Sequence, residues 1–172
     1  MANATARVRI HTTLGSITVE LYGTEAPVTV ENFLQYVRSG YYAGTIFHRV
    51  IPAFMVQGGG MEDGLWEKTV GQRAPIRNEA GNGLKNDVGT IAMARTSDPD
   101  SATSEFFINV RNNQSLNRDQ SRDGVGYAVF GRVIDGMDVV TKIERVRTST
   151  QSGSSDVPVD AIVITSMELL TD

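Results

Sequence analysis

The chain contains the stretch Phe47-His48-Arg49-Val50-Ile51-Pro52-Ala53-Phe54-Met55-Val56-Gln57-Gly58-Gly59-Gly60. Apolar runs at residues 46–50 and 53–57 flank a proline turn, and glycines follow them, which predicts two short strands. If Arg49, Phe54, Met55 and Gln57 share one face, a cation lies beside an apolar pocket. Ordinary core packing with one surface charge would explain the same residues without any binding site.

Similar short runs, at residues 90–94, 105–110 and 127–133, predict further strands on the C-terminal side of this stretch. Phe106 and Phe107 are adjacent, so their side chains must point to opposite faces of a strand. One ring should therefore enter the core, and the other is free to line a pocket.

Strands are also predicted at both ends of the chain. Apolar and polar residues alternate on either side of Gly15 within residues 8–21, which predicts a hairpin. Within residues 161–170 both alternating sets are apolar, as in a strand that closes a barrel beneath a helix. The Ser-rich residues 148–155 are predicted to be a loop. Many short strands with two helices favour a mainly β protein, a closed eight-stranded antiparallel barrel capped by two α-helices, with a two-sheet sandwich as the alternative.

Two amphipathic segments carry the helical pattern. The first begins at Pro27, repeats apolar residues at helical spacing and stops at Gly40. The second runs from Asp135 or Gly136 to about Val146, and Asp135 is positioned to cap it.

Composition excludes several classes of protein. The 172 residues, 40% of them hydrophobic, suit a single domain spanning residues 1–172, and a net charge of −4 argues against nucleic acid as a partner. With no cysteine, and only His11 and His48 as imidazoles, we predict no metal site and no cofactor. Both histidines are expected to bind backbone groups at turns. No nucleophile elbow or phosphate-binding loop is present.

The sequence also bears on location. No stretch reaches the roughly 20 apolar residues of a membrane span, and residues 1–7 lack the apolar core of a secretory signal. We therefore predict a soluble, cytoplasmic protein with no membrane contact. We also expect the protein to be a monomer. A mature periplasmic form that had been given a new initiating methionine would have the same sequence.

Five motifs resemble the cyclophilin family, in family order and along nearly the whole chain. They are FHRVIP (residues 47–52), FMVQGGG (54–60), GTIAMAR (89–95), EFFI (105–108) and VFGRV (129–133). The segments NEA (78–80) and GLKN (83–86) are most similar to bacterial members.

This resemblance implies a peptidyl-prolyl cis-trans isomerase that rotates X-Pro bonds in unfolded or flexible polypeptides and so assists folding, without a metal, cofactor or covalent intermediate. It assigns Arg49 as the catalytic arginine and Gln57 as its neighbour in the groove. It assigns substrate binding to Phe54, Met55, Ala94, Arg95, Glu105, Phe107, Leu116 and Tyr127. The alternative is a proline-peptide binding module, or a chaperone with little catalysis.

Four positions depart from the commonest eukaryotic family pattern. Arg95 stands where asparagine is usual, Glu105 where glutamine, Ser115 where tryptophan and Tyr127 where histidine. The tryptophan is an aromatic anchor for the cyclic peptide cyclosporin, and Ser115 cannot replace it. We therefore expect at most weak cyclosporin binding.

Overall fold

The computed structural model describes residues 2–170, whose regular structure is mainly β. The two α-helices are α1 (Pro27–Arg38) and α2 (Met137–Glu144). The strands are β1 (Ala6–Thr12), β2 (Gly15–Leu21), β3 (Thr45–Ile46), β4 (Arg49–Ile51), β5 (Met55–Gly58), β6 (Met61–Glu62), β7 (Trp66–Glu67), β8 (Thr90–Met93), β9 (Phe106–Asn109), β10 (Val129–Asp135), β11 (Thr148–Gln151), β12 (Ser154–Pro158) and β13 (Ile164–Leu170).

Eight of these strands form one antiparallel sheet in the order β13-β1-β2-β10-β8-β9-β5-β4. The predicted eight-stranded, mainly β fold with two helices is confirmed, but the term closed overstated it because β13 and β4 do not pair as strands. Their ends approach each other: the Phe47 amide donates to the Ile162 carbonyl at 3.0 Å, and Ile46 forms an isolated bridge with Val163. The sheet is therefore curled almost into a barrel.

Aromatic rings fill the space between the curled sheet and α1. Phe33 of α1 is fully buried, and its ring centroid lies 5.2 to 5.7 Å from those of Phe130, Tyr42 and Phe106. Burying a side chain of this kind stabilises the fold by about 1.5 to 3 kcal/mol. The helix predicted from Pro27 is confirmed, and its apolar face packs against the curled sheet.

The helix ends differ in part from expectation. Glu79, from a distant loop, accepts hydrogen bonds from the Thr29 amide at 2.7 Å and the Thr29 hydroxyl at 2.6 Å, so it caps α1. The second predicted helix is confirmed, but Asp135 does not cap it. Asp135 ends β10, and the N-cap of α2 is Gly136, in the left-handed conformation with φ of 91°.

Three predictions from strand patterns were wrong in detail. Residues 46–50 are divided between β3 and β4 because Phe47 turns aside to bond Ile162. Residues 148–155 are not a loop, since they belong to the β11-β12 hairpin, which is polar because most of it is exposed. The last strand is not covered on both faces: Ile164 is buried, but Leu169 is 37% exposed.

Candidate active site

Three neighbouring strands place the predicted catalytic residues in one row. β5 lies between β4 and β9, and the register sets Gln57 opposite both Arg49 and Phe107. Because side chains alternate along a strand, the next row, which contains Val56 and Ile108, faces the buried core. Arg49, Gln57 and Phe107 therefore share the outer face of the curled sheet.

The outer face carries its own apolar cluster, separate from the main core. Met55, Ala92, Phe107 and Val129 are buried there, with half-buried neighbours packed against them. Phe106, in contrast, belongs to the main core, so the prediction that these two adjacent rings point to opposite faces is confirmed. An open cavity of about 200 Å³ indents this cluster, and its wall consists of Arg49, Phe54, Met55, Gln57, Ala94, Arg95, Phe107, Leu116 and Tyr127.

A line of hydrogen bonds runs from the cavity rim into the protein. Arg49 Nη1 donates to Gln57 Oε1 at 3.3 Å, and Gln57 Nε2 donates to Glu105 Oε1 at 2.9 Å. His48 Nε2 lies 3.1 Å from the same Glu105 oxygen. Burial would raise the pKa of the Glu105 carboxyl, but the hydrogen bond and charge of His48 and the Gln57 amide together lower it below its usual range.

A second polar group closes the other side of the cavity. The Arg95 side chain is only 3% exposed, and its guanidinium lies 4.3 Å from the centre of the Tyr127 ring. It donates to Asp123 Oδ2 at 2.7 Å and to the Gly126 carbonyl at 2.9 Å. The Val125 amide, Arg95 and the Gly126 amide together hold the pKa of the Asp123 carboxyl well below its usual range. The loop that precedes Tyr127 is thus fastened to Arg95.

Buried asparagines behind the cavity hold its walls, and the sequence analysis missed them. Asn113 Nδ2 donates to the Phe54 carbonyl at 2.8 Å, while Asn86 Nδ2 reaches the carbonyls of Leu116 at 3.2 Å and Tyr127 at 3.3 Å. The amides also bond one another, through Asn109 and Asn117. Their signal in the sequence was several asparagines flanking an apolar strand, a composition that exposed turns share.

The structure brings together all but one of the predicted site residues at the cavity. The exception is Glu105, which is half-buried behind Gln57 and does not line the cavity wall. Ser115 lines an adjoining, more open cavity that shares Arg95, Leu116 and Tyr127 with the first.

Within the described part of the chain, neither histidine side chain binds a backbone group as predicted. His11 contacts the Ser16 hydroxyl and the Glu168 carboxylate, and His48 contacts Glu105. In residues 2–170 no group of three or more potential metal ligands occurs, and no helix is long and apolar enough to span a membrane.

The comparisons with known proteins decide the family. The family model described as "Cyclophilin type peptidyl-prolyl cis-trans isomerase/CLD" matches residues 7–169. The chain belongs to the cyclophilin family. A peptidyl-prolyl cis-trans isomerase of Acinetobacter baylyi is 55% identical over 168 residues, which cover 98% of this chain and 87% of that protein. One from Streptomyces antibioticus is 56% identical over 164 residues, covering 95% and 98% respectively.

Solved cyclophilins share the fold as well as the sequence. A cyclophilin-type isomerase of Cryptosporidium parvum, crystallised in the presence of the dipeptide Ala-Pro, is similar with a TM-score of 0.79 and 31% identity. The match covers 96% of this chain and 99% of that one. The predicted family and the predicted function as a cyclophilin isomerase are confirmed, whereas the roles of individual site residues stay predictions.

Proposed function

We propose that this cyclophilin rotates X-Pro bonds in unfolded or flexible polypeptides without covalent chemistry, with Arg49 stabilising the twisted amide. The observation that carries the proposal is a guanidinium at the rim of an apolar cavity. The cavity volume of about 200 Å³ is below the roughly 300 to 1,000 Å³ of pockets for drug-sized ligands, so it suits a single small ring. A proline side chain is such a ring.

The role of Arg49 follows from the barrier to rotation. Rotating an amide costs about 18 to 20 kcal/mol because resonance between nitrogen and carbonyl is lost. At the twisted transition state the proline nitrogen regains a lone pair, which can accept a hydrogen bond that the planar ground state cannot. A guanidinium that donates one N–H to Gln57 retains further N–H groups for that nitrogen. Its interaction is stronger in the transition state, which is the condition for catalysis.

The apolar residues anchor one side of the rotating bond. Phe54, Met55, Phe107 and Leu116 would hold the pyrrolidine ring while the preceding carbonyl swings. They also exclude water, and a lower local dielectric strengthens the contact between Arg49 and the nitrogen. Anchoring makes the rotation of the free side productive.

Arg95 and Ala94 would contribute through their backbone. The Arg95 guanidinium is bonded to Asp123, Gly126 and Thr96, so most of its N–H groups are already occupied. Edge pairing of an extended substrate with the backbone at residues 94–95 carries little side-chain selectivity. We therefore propose a broad range of proline-containing peptides and unfolded proteins as substrates.

The second candidate is a proline-peptide binding module with little catalysis. Binding a ring needs only the apolar wall, whereas a cation beside the amide nitrogen serves rotation, so Arg49 favours the enzyme. A protease-coupled assay on an Ala-Pro peptide should show isomerisation well above the spontaneous rate. Binding of the peptide without faster isomerisation would show that the protein is a binding module instead.

We expect the isomerase rate to be unchanged by EDTA, because neither Arg49 nor the apolar wall requires a metal. The same protease-coupled assay, run before and after chelation with a metal-independent protease, measures this directly. Loss of activity that added metal restores would contradict the proposal.

A further inference from the structure

The carboxylate of Glu105 lies next to the side-chain amide of Gln57. Its Oε1 accepts from Gln57 Nε2 at 2.9 Å and lies 3.1 Å from His48 Nε2. Among residues 2–170, the other ring nitrogen of His48 is buried without a hydrogen-bond partner. Because an ionised carboxylate only accepts, the Nε2–H group of His48 must be the donor to Glu105.

The chemical character of the two neighbours leaves Gln57 one orientation. A glutamine side chain has an acceptor oxygen and a donor NH₂ group, whereas arginine only donates and an ionised carboxylate only accepts. Between Arg49 and Glu105, the Gln57 oxygen must face the arginine and its NH₂ group must face the carboxylate. The hydrogen bonds agree, at 3.3 Å and 2.9 Å respectively. A neutral amide at position 105, which can both donate and accept, would not impose this choice.

The surroundings hold the carboxylate in place and ionised. Backbone hydrogen bonds fix Glu105 just before β9, because the Ala94 amide donates to its carbonyl at 3.0 Å. A Cβ atom at Gly60 would collide with the Glu105 side chain, so the glycine provides the space that the carboxylate occupies. The bonds from His48 and Gln57 outweigh burial and lower the carboxyl pKa, which keeps the acceptor charged at neutral pH.

We propose that Glu105 is a positioning residue for the isomerase reaction, an inference that rests on the proposed function. It orients the Gln57 amide, and the Gln57 oxygen in turn fixes the exposed Arg49 guanidinium where the proline nitrogen will lie. His48 acts behind it, by holding the carboxylate. Direct binding of substrate by Glu105 is the competing role.

Separate kcat and KM values distinguish these roles. Glu105→Ala should lower kcat about tenfold while KM changes less than about threefold, because the Arg49 geometry is lost and the apolar wall remains. Glu105→Gln should keep only about a third to a half of the wild-type kcat, since its amide oxygen can still accept from Gln57 but its NH₂ group no longer fixes the orientation of the Gln57 amide. Glu67→Gln, at an exposed glutamate on β7, is the matched control and should match the wild type.

A double-mutant cycle tests whether Glu105 acts through Gln57. The variant carrying both Glu105→Ala and Gln57→Ala should have the same kcat as Gln57→Ala alone, within about twofold. Multiplicative losses, a loss confined to KM, or an unchanged kcat in Glu105→Ala would each overturn the proposal. If Glu105→Ala does not fold, the ratio of kcat between Glu105→Gln and wild type decides, and equality overturns it. An inactive wild type would instead refute the proposed function.

Discussion

Ser115 lies beside the apolar cavity without lining it. It is exposed in a one-turn 3-10 helix of residues Gln114–Leu116, and it lines the adjoining cavity rather than the apolar one. Leu116, next in the chain, contributes to both cavities. A change at position 115 should therefore alter contacts outside the proline ring and leave the apolar wall intact.

Ser115→Trp should strengthen cyclosporin inhibition by about ten- to a hundredfold, or roughly 1 to 3 kcal/mol, because the indole supplies an N–H donor and a broad face. Titrating the inhibitor against both proteins measures the change, and kcat/KM on a small proline peptide is the control. Tight inhibition of the wild type would show that Ser115 is not the determinant. No gain in an active tryptophan variant would show the same.

The asparagine network connects several elements, since it joins β9 to the turn before β5, to the 3-10 helix that contains Leu116 and to the loop that contains Tyr127. Asn86 and Asn109 are fully buried. The Nδ2 atom of Asn86 alone donates hydrogen bonds to three oxygen atoms. These contacts hold backbone carbonyls of the cavity wall in place. The network is therefore expected to contribute both to stability and to the shape of the cavity.

Asn86→Ala should lower the free energy of unfolding by about 1 to 3 kcal/mol, because buried carbonyls lose their donors. It should also raise KM more than it lowers kcat, since the wall loosens while Arg49 is untouched. Urea unfolding and steady-state kinetics measure the two effects. Asn3→Ala, at an exposed position near the N-terminus, is the control; equal losses in both variants would count against the network.

The elements also explain where sequence patterns succeeded. The hairpin of β1 and β2 and helix α1 have one buried face each, so apolar alternation and helical spacing located them. The β11-β12 hairpin is mostly exposed and depends on backbone pairing, so its Ser-rich sequence matched a loop. Burial leaves a pattern in the sequence, whereas backbone pairing at a polar surface does not.

The same reasoning holds for the site. Motif resemblance predicted site roles for Arg49, Gln57, Phe54, Met55 and Phe107, because those residues lie within the short motifs. It could not identify Asn86 or Asn113 as supports, since their partners lie about 30 to 60 positions away and are backbone carbonyls. For Glu105, the change from glutamine was visible, but its place behind Gln57 depends on strand register.

At the scale of the whole molecule, several tyrosines are packed inside or against the curled sheet. Burial, followed by the hydrogen bond and charge of Glu20, raises the pKa of Tyr22 to about 12, and burial also raises the pKa values of Tyr36 and Tyr42.

The monomeric state and the cytoplasmic location stay predictions.

These tyrosines should make the fold sensitive to alkali. A group whose pKa is raised by folding stabilises the native state fully below its unfolded pKa, near 10, and that stabilisation is lost as pH rises through the folded value. The free energy of unfolding should therefore fall between pH 10 and about 12. The free energy of unfolding of the Tyr22→Phe variant, measured with urea, should fall less steeply over this pH range. Identical slopes would rule out Tyr22 as a contributor.

The central claim is that Arg49 acts on the twisted amide rather than on the bound ground state. Measuring kcat/KM and peptide affinity for Arg49→Ala, with the exposed Arg38→Ala as control, tests it most directly. We expect kcat/KM to fall about 10²- to 10³-fold, the typical loss for one transition-state donor, with affinity changed less than about threefold. Activity within a few-fold of wild type, or a loss matched by equal loss of affinity, would contradict it.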